Sequence, residues 1–337
     1  LGSRTATPKI LDRLLKMLAA RDKMTRRHAE YPFMGGIQEA HVPDSFLDEL
    51  ARLLADQDEN MRRSVASVAA RLAGDEAGPR YLSWLARLLV DPDSKARESA
   101  ASVVGSAGPA VAKAEILGPL GRLLEDPDDR VRRSAAKAVG ELGAPASAIL
   151  QGIADRLNDP VWEIRDAATW SVVKLGDVAA TPPMLERLST MLKAWGSNNR
   201  KAALYATEAI GTAAARPAIL ESLVYCLADD DVEIRRKAVE VVRKMGAGAA
   251  TIQFANLIEA YRNRIPSYSD FPPSSEIADI LIFLMQYGLR YHRVIIREIR
   301  KRSVLWWKEP IKISRTRLAW VTINEPGPHE SPSRAGS

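Results

Sequence analysis

The chain has 337 residues, of which 46% are hydrophobic and only 6% aromatic, and its formal net charge is +6. A single cysteine, Cys226, excludes a disulfide framework within the chain and favours a reducing compartment. The longest apolar run, from Ile280 to Met285, is too short to span a bilayer, and no signal peptide is visible. We therefore expect a cytoplasmic protein, with the nucleus as the alternative, and an extended core of small side chains.

Residues 1–43 predict one degenerate helical repeat followed by an irregular connection. Leu14, Leu18 and Arg26 follow the spacing of the clearer repeats that come later in the chain. The connection, from Tyr31 to Pro43, contains prolines and two glycines, which interrupt regular structure. The chain starts with Leu-Gly-Ser rather than with methionine, which favours a module of a longer protein or of a larger complex.

A unit of similar sequence recurs six times between residues 44 and 250. Each copy is anchored on the same position, and the anchors are Asp56, Asp91, Asp126, Asp159, Ala194 and Asp229. The anchors are 35, 35, 33, 35 and 35 residues apart. An arginine follows each anchor by six residues, at Arg62, Arg97, Arg132, Arg165, Arg200 and Arg235. Leucines before the anchors and glycines after the units align in the same way, so this region is predicted to be an array of equal structural units.

Each unit predicts a pair of helices. Asp126-Pro127 ends the first helix of its unit, because proline disfavours helical backbone in the preceding residue. Asp128 is then placed to accept hydrogen bonds from the free N–H groups that start the second helix. Gly143 ends that helix, because glycine adopts a positive φ without strain. The second helix has small apolar residues on one face, which one pair cannot bury alone, so the pairs must stack.

The repeated Asp, Pro, Asp, Arg, Ala and Gly pattern from Asp44 to Gly246 resembles HEAT repeats, especially the short HEAT-like type of phycobilin lyases. The resemblance implies an all-α fold, namely a right-handed α-α superhelix of about six to seven helix pairs, and usually a protein-binding scaffold. It also implies that the recurrent Asp and Arg form a hydrogen-bonded ladder along the turns. The unit at Ala194 lacks both Asp and Pro, so we expect the ladder to break there.

Residues 251–323 predict a terminal half-repeat, a linker, a long basic capping helix and a segment that contains tryptophan. The half-repeat covers about 251–262 and the long helix about 275–302, and an alternating pattern over 311–323 suggests a strand. Residues 324–337 are rich in Pro, Ser and Gly and predict a disordered, irregular tail.

Positive charge is concentrated between Arg290 and Arg317, where ten Lys and Arg against two Glu leave a net charge of +8. The rest of the chain therefore sums to −2. The residues predicted to contact an acidic partner are Arg290, Arg293, Arg297, Arg300, Lys301 and Arg302. An acidic protein, an anionic lipid or a nucleic acid would suit this segment, and a solvated helix face would have the same composition.

Catalytic and metal-binding motifs are missing from the sequence, which has no phosphate-binding loop, no HExxH and no paired CxxC. We therefore predict a protein that is not an enzyme and has no cofactor and no metal site. A remote alternative is a HEAT-like DNA glycosylase, because such enzymes use Trp and Asp in a basic cleft. Trp162, Asp166 and Trp170 match this loosely, without the wider pattern.

The second helices supply the predicted partner-binding surface, because in a HEAT-like stack they line the concave side. Positions seven, eleven and fifteen after the anchor share one helical face. Position eleven carries Trp170 and Tyr205 in adjacent repeats, and helices packed about 8–10 Å apart can bring both rings to one site. The predicted site residues are Arg133, Lys137, Asp166, Trp170, Lys174, Lys201 and Tyr205. The alternative is that both rings tuck between helices and fill gaps left by small neighbours.

Two function classes follow from these features. A protein-binding scaffold or adaptor is favoured, because the array has mixed charge and the basicity is confined to one end. A nucleic-acid-associated protein that binds through the basic C-terminal segment is the alternative, and a continuous basic stripe along the array would favour it.

Overall fold

A computed structural model describes residues 7–34, 42–74, 77–251, 253–254, 256–258 and 280. The chain divides into two compact units, Leu1–Met245 and Gly246–Ser337. The α-helices described in the first unit are α1 (Pro8–Leu18), α2 (Lys23–Met34), α3 (Asp44–Leu54), α4 (Glu59–Leu72), α5 (Pro79–Leu88), α6 (Ser94–Ala107), α7 (Ala114–Leu123), α8 (Asp129–Leu142), α9 (Leu150–Arg156), α10 (Trp162–Leu175), α11 (Pro182–Leu192), α12 (Ser197–Ile210), α13 (Pro217–Leu227) and α14 (Val232–Met245). Short 3-10 helices follow five second helices, at Gly108–Val111, Ala144–Ile149, Gly176–Ala179, Gly211–Ala214 and Gly246–Ala249.

The helices of the first unit form seven consecutive pairs arranged in two layers. In each pair an odd-numbered first helix is joined by a turn to an even-numbered second helix. First helices pack on first helices of neighbouring pairs, and second helices pack on second helices. The described ranges contain helices and turns but no strand. The predicted all-α solenoid of six to seven helix pairs is therefore confirmed.

The residues that begin and end the second helices are those expected from the sequence. The carboxylate of Asp128 accepts hydrogen bonds from the backbone N–H groups of Arg130 at 2.8 Å and Val131 at 3.4 Å, which satisfies donors at the start of α8. Asp58, Asp93 and Asp231 cap their helices in the same way. The helices end at glycines with φ between 58° and 68°, namely Gly74, Gly108, Gly143, Gly176, Gly211 and Gly246.

Small residues let the second helices approach one another closely. A Cβ built on Gly105 of α6 would lie 3.3 Å from the Cα of Ala138 on α8. A Cβ on Gly140 would lie only 2.9 Å from the Cα of Ser171 on α10, closer than real Cβ atoms come to backbone. Glycine at position 140 therefore allows α8 and α10 to pack at this distance.

The aspartate and arginine columns form a ladder along the turns between first and second helices. Arg132 donates through Nη1 to the carbonyl of Asp126 at 2.7 Å, and through Nε to the carboxylate of Asp159 in the next repeat at 3.1 Å. Arg97 and Arg200 hold the carboxylates of the next anchors in the same way, with shortest separations of 2.8 Å and 2.7 Å. Because Arg97 donates hydrogen bonds to the carboxylate of Asp126, the pKa of this arginine is raised above its usual value.

Arg165 and Arg62 depart from this ladder, as does Arg26, whose Nη1 lies 3.8 Å from Asp58 instead of pairing with the anchor Asp56. Arg165 keeps both carbonyl contacts, to Asp159 at 2.7 Å and Pro160 at 2.9 Å, but the next anchor is Ala194, which offers no carboxylate. The predicted break therefore occurs at this repeat. The sequence did not predict the second departure, in which Arg62 pairs with Glu98 at 3.0 Å instead of with the anchor of the next repeat.

Cys226 lies buried in α13, and its Sγ is 3.3 Å from the carbonyl oxygen of Leu192. Burial raises the pKa of this thiol to about 12, so it remains protonated at neutral pH. This cysteine is therefore a small core residue and not an accessible thiol.

Most of the C-terminal predictions lie outside the described residues. These are the linker, the long helix over 275–302 except for residue 280, which is helical, the strand over 311–323 and the tail over 324–337. Of the predicted half-repeat, residues 253–254 and 256–258 are described, and they are helical. No helix in the described ranges is long and apolar enough to serve as a membrane span.

Candidate functional site

The candidate site is the surface of α8, α10 and α12 that points away from the layer of first helices, which we call the second-helix face. Consecutive repeats supply its side chains, because α8 packs on α10 and α10 packs on α12. Arg133 and Lys137 lie on α8, Asp166, Trp170 and Lys174 on α10, and Lys201 and Tyr205 on α12.

Tyr205 is the most open of the predicted aromatic residues on this face. Its side chain is 53% exposed. The ammonium group of Lys237, on α14, lies 4.6 Å from the centre of its ring, and Lys237 in turn pairs with Glu208 at 2.6 Å and Glu240 at 2.9 Å. Lys237 thus makes a cation–π contact with Tyr205, and the two glutamates fix the position of the lysine.

Trp170 is half-buried, because one edge of its indole lies against α8. The ring approaches Gly140 so closely that a Cβ at that position would be 2.8 Å from Cζ3 of the indole. Lys174 places its Nζ 5.1 Å from the ring centre and 3.6 Å from a carboxylate oxygen of Glu141. Trp170 thus fills a gap left by a small neighbour and still offers part of its ring to solvent.

The remaining charges of the face fall into two groups. Lys201 is bound to α14 and its turn, with Nζ 2.6 Å from Glu233 and 3.2 Å from Asp231. These two carboxylates raise the pKa of Lys201, whose larger contact is with Glu233. Among the described residues, no ion-pair partner is found for Arg133, Lys137 or Asp166.

Four charged residues outside the predicted set also contribute to the second-helix face, namely Glu141, Glu208, Lys237 and Glu240. Glu141 and Glu240 stand in the fifteenth and eleventh positions after their anchors, so the column spacing already contained them. Lys237 stands eight residues after its anchor, one position beside the chosen column. Only the packing of α12 on α14 shows that its side chain reaches Tyr205.

The predicted acidic-partner residues lie outside the described part of the chain. These are Arg290, Arg293, Arg297, Arg300, Lys301 and Arg302. Their role therefore remains a prediction from the charge of the sequence.

The three residues that loosely resemble glycosylase chemistry do not form a compact site. Trp162 and Trp170 are eight residues apart on α10, which places them about 12 Å apart along the helix axis. Asp166 is exposed between them. Within the residues that the structure describes, no three His, Cys, Asp or Glu side chains are grouped to hold a metal ion.

Comparisons with known proteins agree with this architecture. A family model described as HEAT repeats matches residues 81–156 and 119–191. Among solved structures, the chain is similar to an engineered protein, with a TM-score of 0.51 and 18% identity over 87% of this chain and 82% of that one. It is also similar to an archaeal HEAT-like repeats protein from Thermococcus onnurineus NA1, with a TM-score of 0.44 and 14% identity over 74% of this chain and 98% of that one. No curated protein matches the sequence.

The stacked helix pairs of the first unit define its fold as an α-solenoid. The matched residues, 81–191, run from α5 to α11, so this part of the chain matches HEAT repeats.

Proposed function

We propose that this protein is a non-catalytic binding scaffold or adaptor that contacts a partner protein through the second-helix face. The observation that carries the proposal is the placement of two large aromatic residues, Trp170 and Tyr205, at the surface of consecutive repeats. Aromatic side chains contribute large apolar area at a low entropic cost, and they dominate the binding energy of many protein interfaces.

The charges of the face favour a protein over a nucleic acid. Arg133 and Lys137 are positive, but Glu141 and Asp166 lie beside them and interrupt any basic stripe. Binding to phosphates needs a continuous positive surface, whereas a protein partner can present both signs of charge. The second-helix face therefore suits a partner with an apolar centre and a mixed polar rim.

The proposal can be tested with peptides selected from a displayed library on the wild-type chain. Each enriched peptide is titrated by calorimetry against the wild type and against the Trp170→Ala, Tyr205→Ala double variant. We expect the double variant to lose about 2 kcal/mol or more of binding free energy, which is roughly 30-fold in Kd.

Tyr225→Ala is the matched control. Tyr225 is also an exposed tyrosine beside a lysine, with Nζ of Lys193 5.9 Å from its ring centre, but it belongs to α13 in the layer of first helices. We expect this variant to bind like the wild type. Unchanged affinity in the double variant, or an equal loss in the control, would show that the second-helix face is not the binding surface.

A further inference from the structure

The break in the ladder at Ala194 leaves one arginine without the carboxylate that its equivalents hold. Arg97, Arg132 and Arg200 each donate to two carbonyls of their own turn and to the anchor aspartate of the next repeat. Arg165 makes the two carbonyl contacts at 2.7 Å and 2.9 Å, but it has no ion pair with any described residue. We call the space beside Ala194, where an anchor carboxylate would stand, the ladder gap.

The guanidinium of Arg165 is held in the same position as its equivalents. Its Nη1 bonds the carbonyls five and six residues before it, as Nη1 of Arg132 and of Arg200 do. Because a guanidinium is planar, fixing Nη1 in this way directs Nε and Nη2 toward the next repeat. These are the groups with which Arg97 donates to both oxygens of Asp126. The donors of Arg165 therefore face the next repeat, in which the ladder gap lies.

Two tryptophans stand at the same edge of the array. Trp195 directly follows Ala194 and is fully exposed, and Trp162 begins α10, three residues before Arg165, and is 63% exposed. They are the most exposed large apolar residues in the described part of the chain. The equivalent positions elsewhere carry small, polar or proline residues, with Val232 as the one other large apolar side chain: Gln57, Glu59, Pro92, Ser94, Pro127, Asp129, Pro160, Ser197, Asp230 and Val232.

The two tryptophans lie on adjacent repeats, whose helices pack about 10 Å apart. Trp162 lies three residues before Arg165 and Trp195 directly follows Ala194, so each of the two residues that border the ladder gap has a tryptophan close to it in the sequence. Exposed tryptophans do not stabilise the array, and Arg165 has no carboxylate partner among the described residues. Together these groups match a ligand that supplies an anion for the arginine and apolar groups for the tryptophans.

We propose that the ladder gap is a docking site for an extended acidic segment of a partner protein. An Asp or Glu side chain of the partner takes the place of the missing anchor carboxylate and accepts hydrogen bonds from Nε and Nη2 of Arg165. Apolar residues on both sides of that acid pack on Trp162 and Trp195. Charge complementarity selects the acid, because three equivalent arginines of the same ladder each bind a carboxylate. This site is on the turn edge and is independent of the second-helix face.

The test uses a set of short fluorescein-labelled peptides with a central Asp or Glu flanked by Leu, Pro or Phe, and the same peptides with Asn or Gln at the centre. Binding is followed by fluorescence anisotropy. We expect acidic members to bind the wild type and the amide members to bind about tenfold more weakly or not at all, because they lack the charge that strengthens the contact with Arg165.

Ala194→Asp is the decisive variant, because it supplies the missing carboxylate from within the chain. We expect it to raise the thermal unfolding temperature and to weaken the acidic peptides by about tenfold or more, since the arginine is then occupied. Ala194→Asn is its neutral control and should bind like the wild type. Arg165→Gln and Trp195→Ala should also weaken binding, with circular dichroism verifying that both remain folded.

The proposal is overturned if no acidic peptide binds the wild type, or if Ala194→Asp binds these peptides as tightly as the wild type does. Its outcome is separable from that of the scaffold proposal. The Trp170→Ala, Tyr205→Ala double variant should bind the acidic peptides normally, and Ala194→Asp should leave the peptides of the second-helix face unaffected.

Discussion

Replacement of Arg132 by alanine tests whether the ladder stabilises the array. Arg132 is buried, and its guanidinium bonds two carbonyls of its own turn and the carboxylate of Asp159, whose side chain is 0% exposed. After truncation the carboxylate would keep Arg156, at 3.1 Å, and the N–H of Val161, at 3.0 Å. The buried carboxylate of Asp159 would thus lose one of its partners and keep the other two.

The magnitude follows from those contacts. Removing one partner of a buried ion pair costs about 3–5 kcal/mol when the other charge is left alone. Because Arg156 and Val161 remain, we expect the lower end, about 2–3 kcal/mol for Arg132→Ala. Arg165→Ala is the matched control, since it removes the same side chain and the same carbonyl contacts but no carboxylate contact. We expect the control to lose about 1 kcal/mol.

The free energy of unfolding of both variants is measured by urea titration with circular dichroism. The slope of free energy against urea concentration is compared between variants, because equal slopes show that the same transition is observed. A double-mutant cycle with Asp159→Asn then isolates the coupling of Arg132 to the carboxylate, because residues in contact are not additive. A wild-type midpoint for Arg132→Ala, or equal losses for Arg132→Ala and Arg165→Ala, would refute a stabilising ladder.

Three further predictions concern other parts of the chain. Gly143→Ala should destabilise the array by about 1 kcal/mol in the same urea assay through backbone strain alone, since φ is +68° and no atom beyond the chain neighbours lies within 4 Å of the added Cβ. Cys226 should resist a thiol reagent at pH 8 until urea unfolds the array, and rapid labelling of the native protein would contradict this. Because the pKa of its thiol in the folded protein is raised to about 12, its contribution to stability is complete below the unfolded pKa of about 8.5 and is lost as the pH rises toward 12. If residues 290–302 bind nucleic acid, affinity for a DNA duplex should fall steeply with salt, and salt-insensitive or absent binding would leave protein or lipid as the partner.

Local signals in the sequence predict the helix pairs of residues 44–250, their register and the ends of their second helices, but not the end of α2, which runs to Met34 although the irregular connection was expected from Tyr31. These features depend on local chemistry: Asp128 caps α8 with its own carboxylate, and Gly143 ends the helix through its own backbone freedom. The break of the ladder at Ala194 was also readable, because an alanine cannot replace a carboxylate whatever its surroundings. Repetition made these signals strong, since the same column recurred in repeat after repeat.

The packing of neighbouring helices determines which side chains of one column are exposed and which charges they meet. Trp170 and Tyr205 occupy the same repeat position, yet Trp170 is half-buried against Gly140 and Tyr205 is open beside Lys237. Arg62 reaches Glu98 instead of an anchor aspartate for a similar reason. Each outcome depends on the size and charge of residues about 35 positions away, which the packing of neighbouring helices brings together and which no local pattern contains.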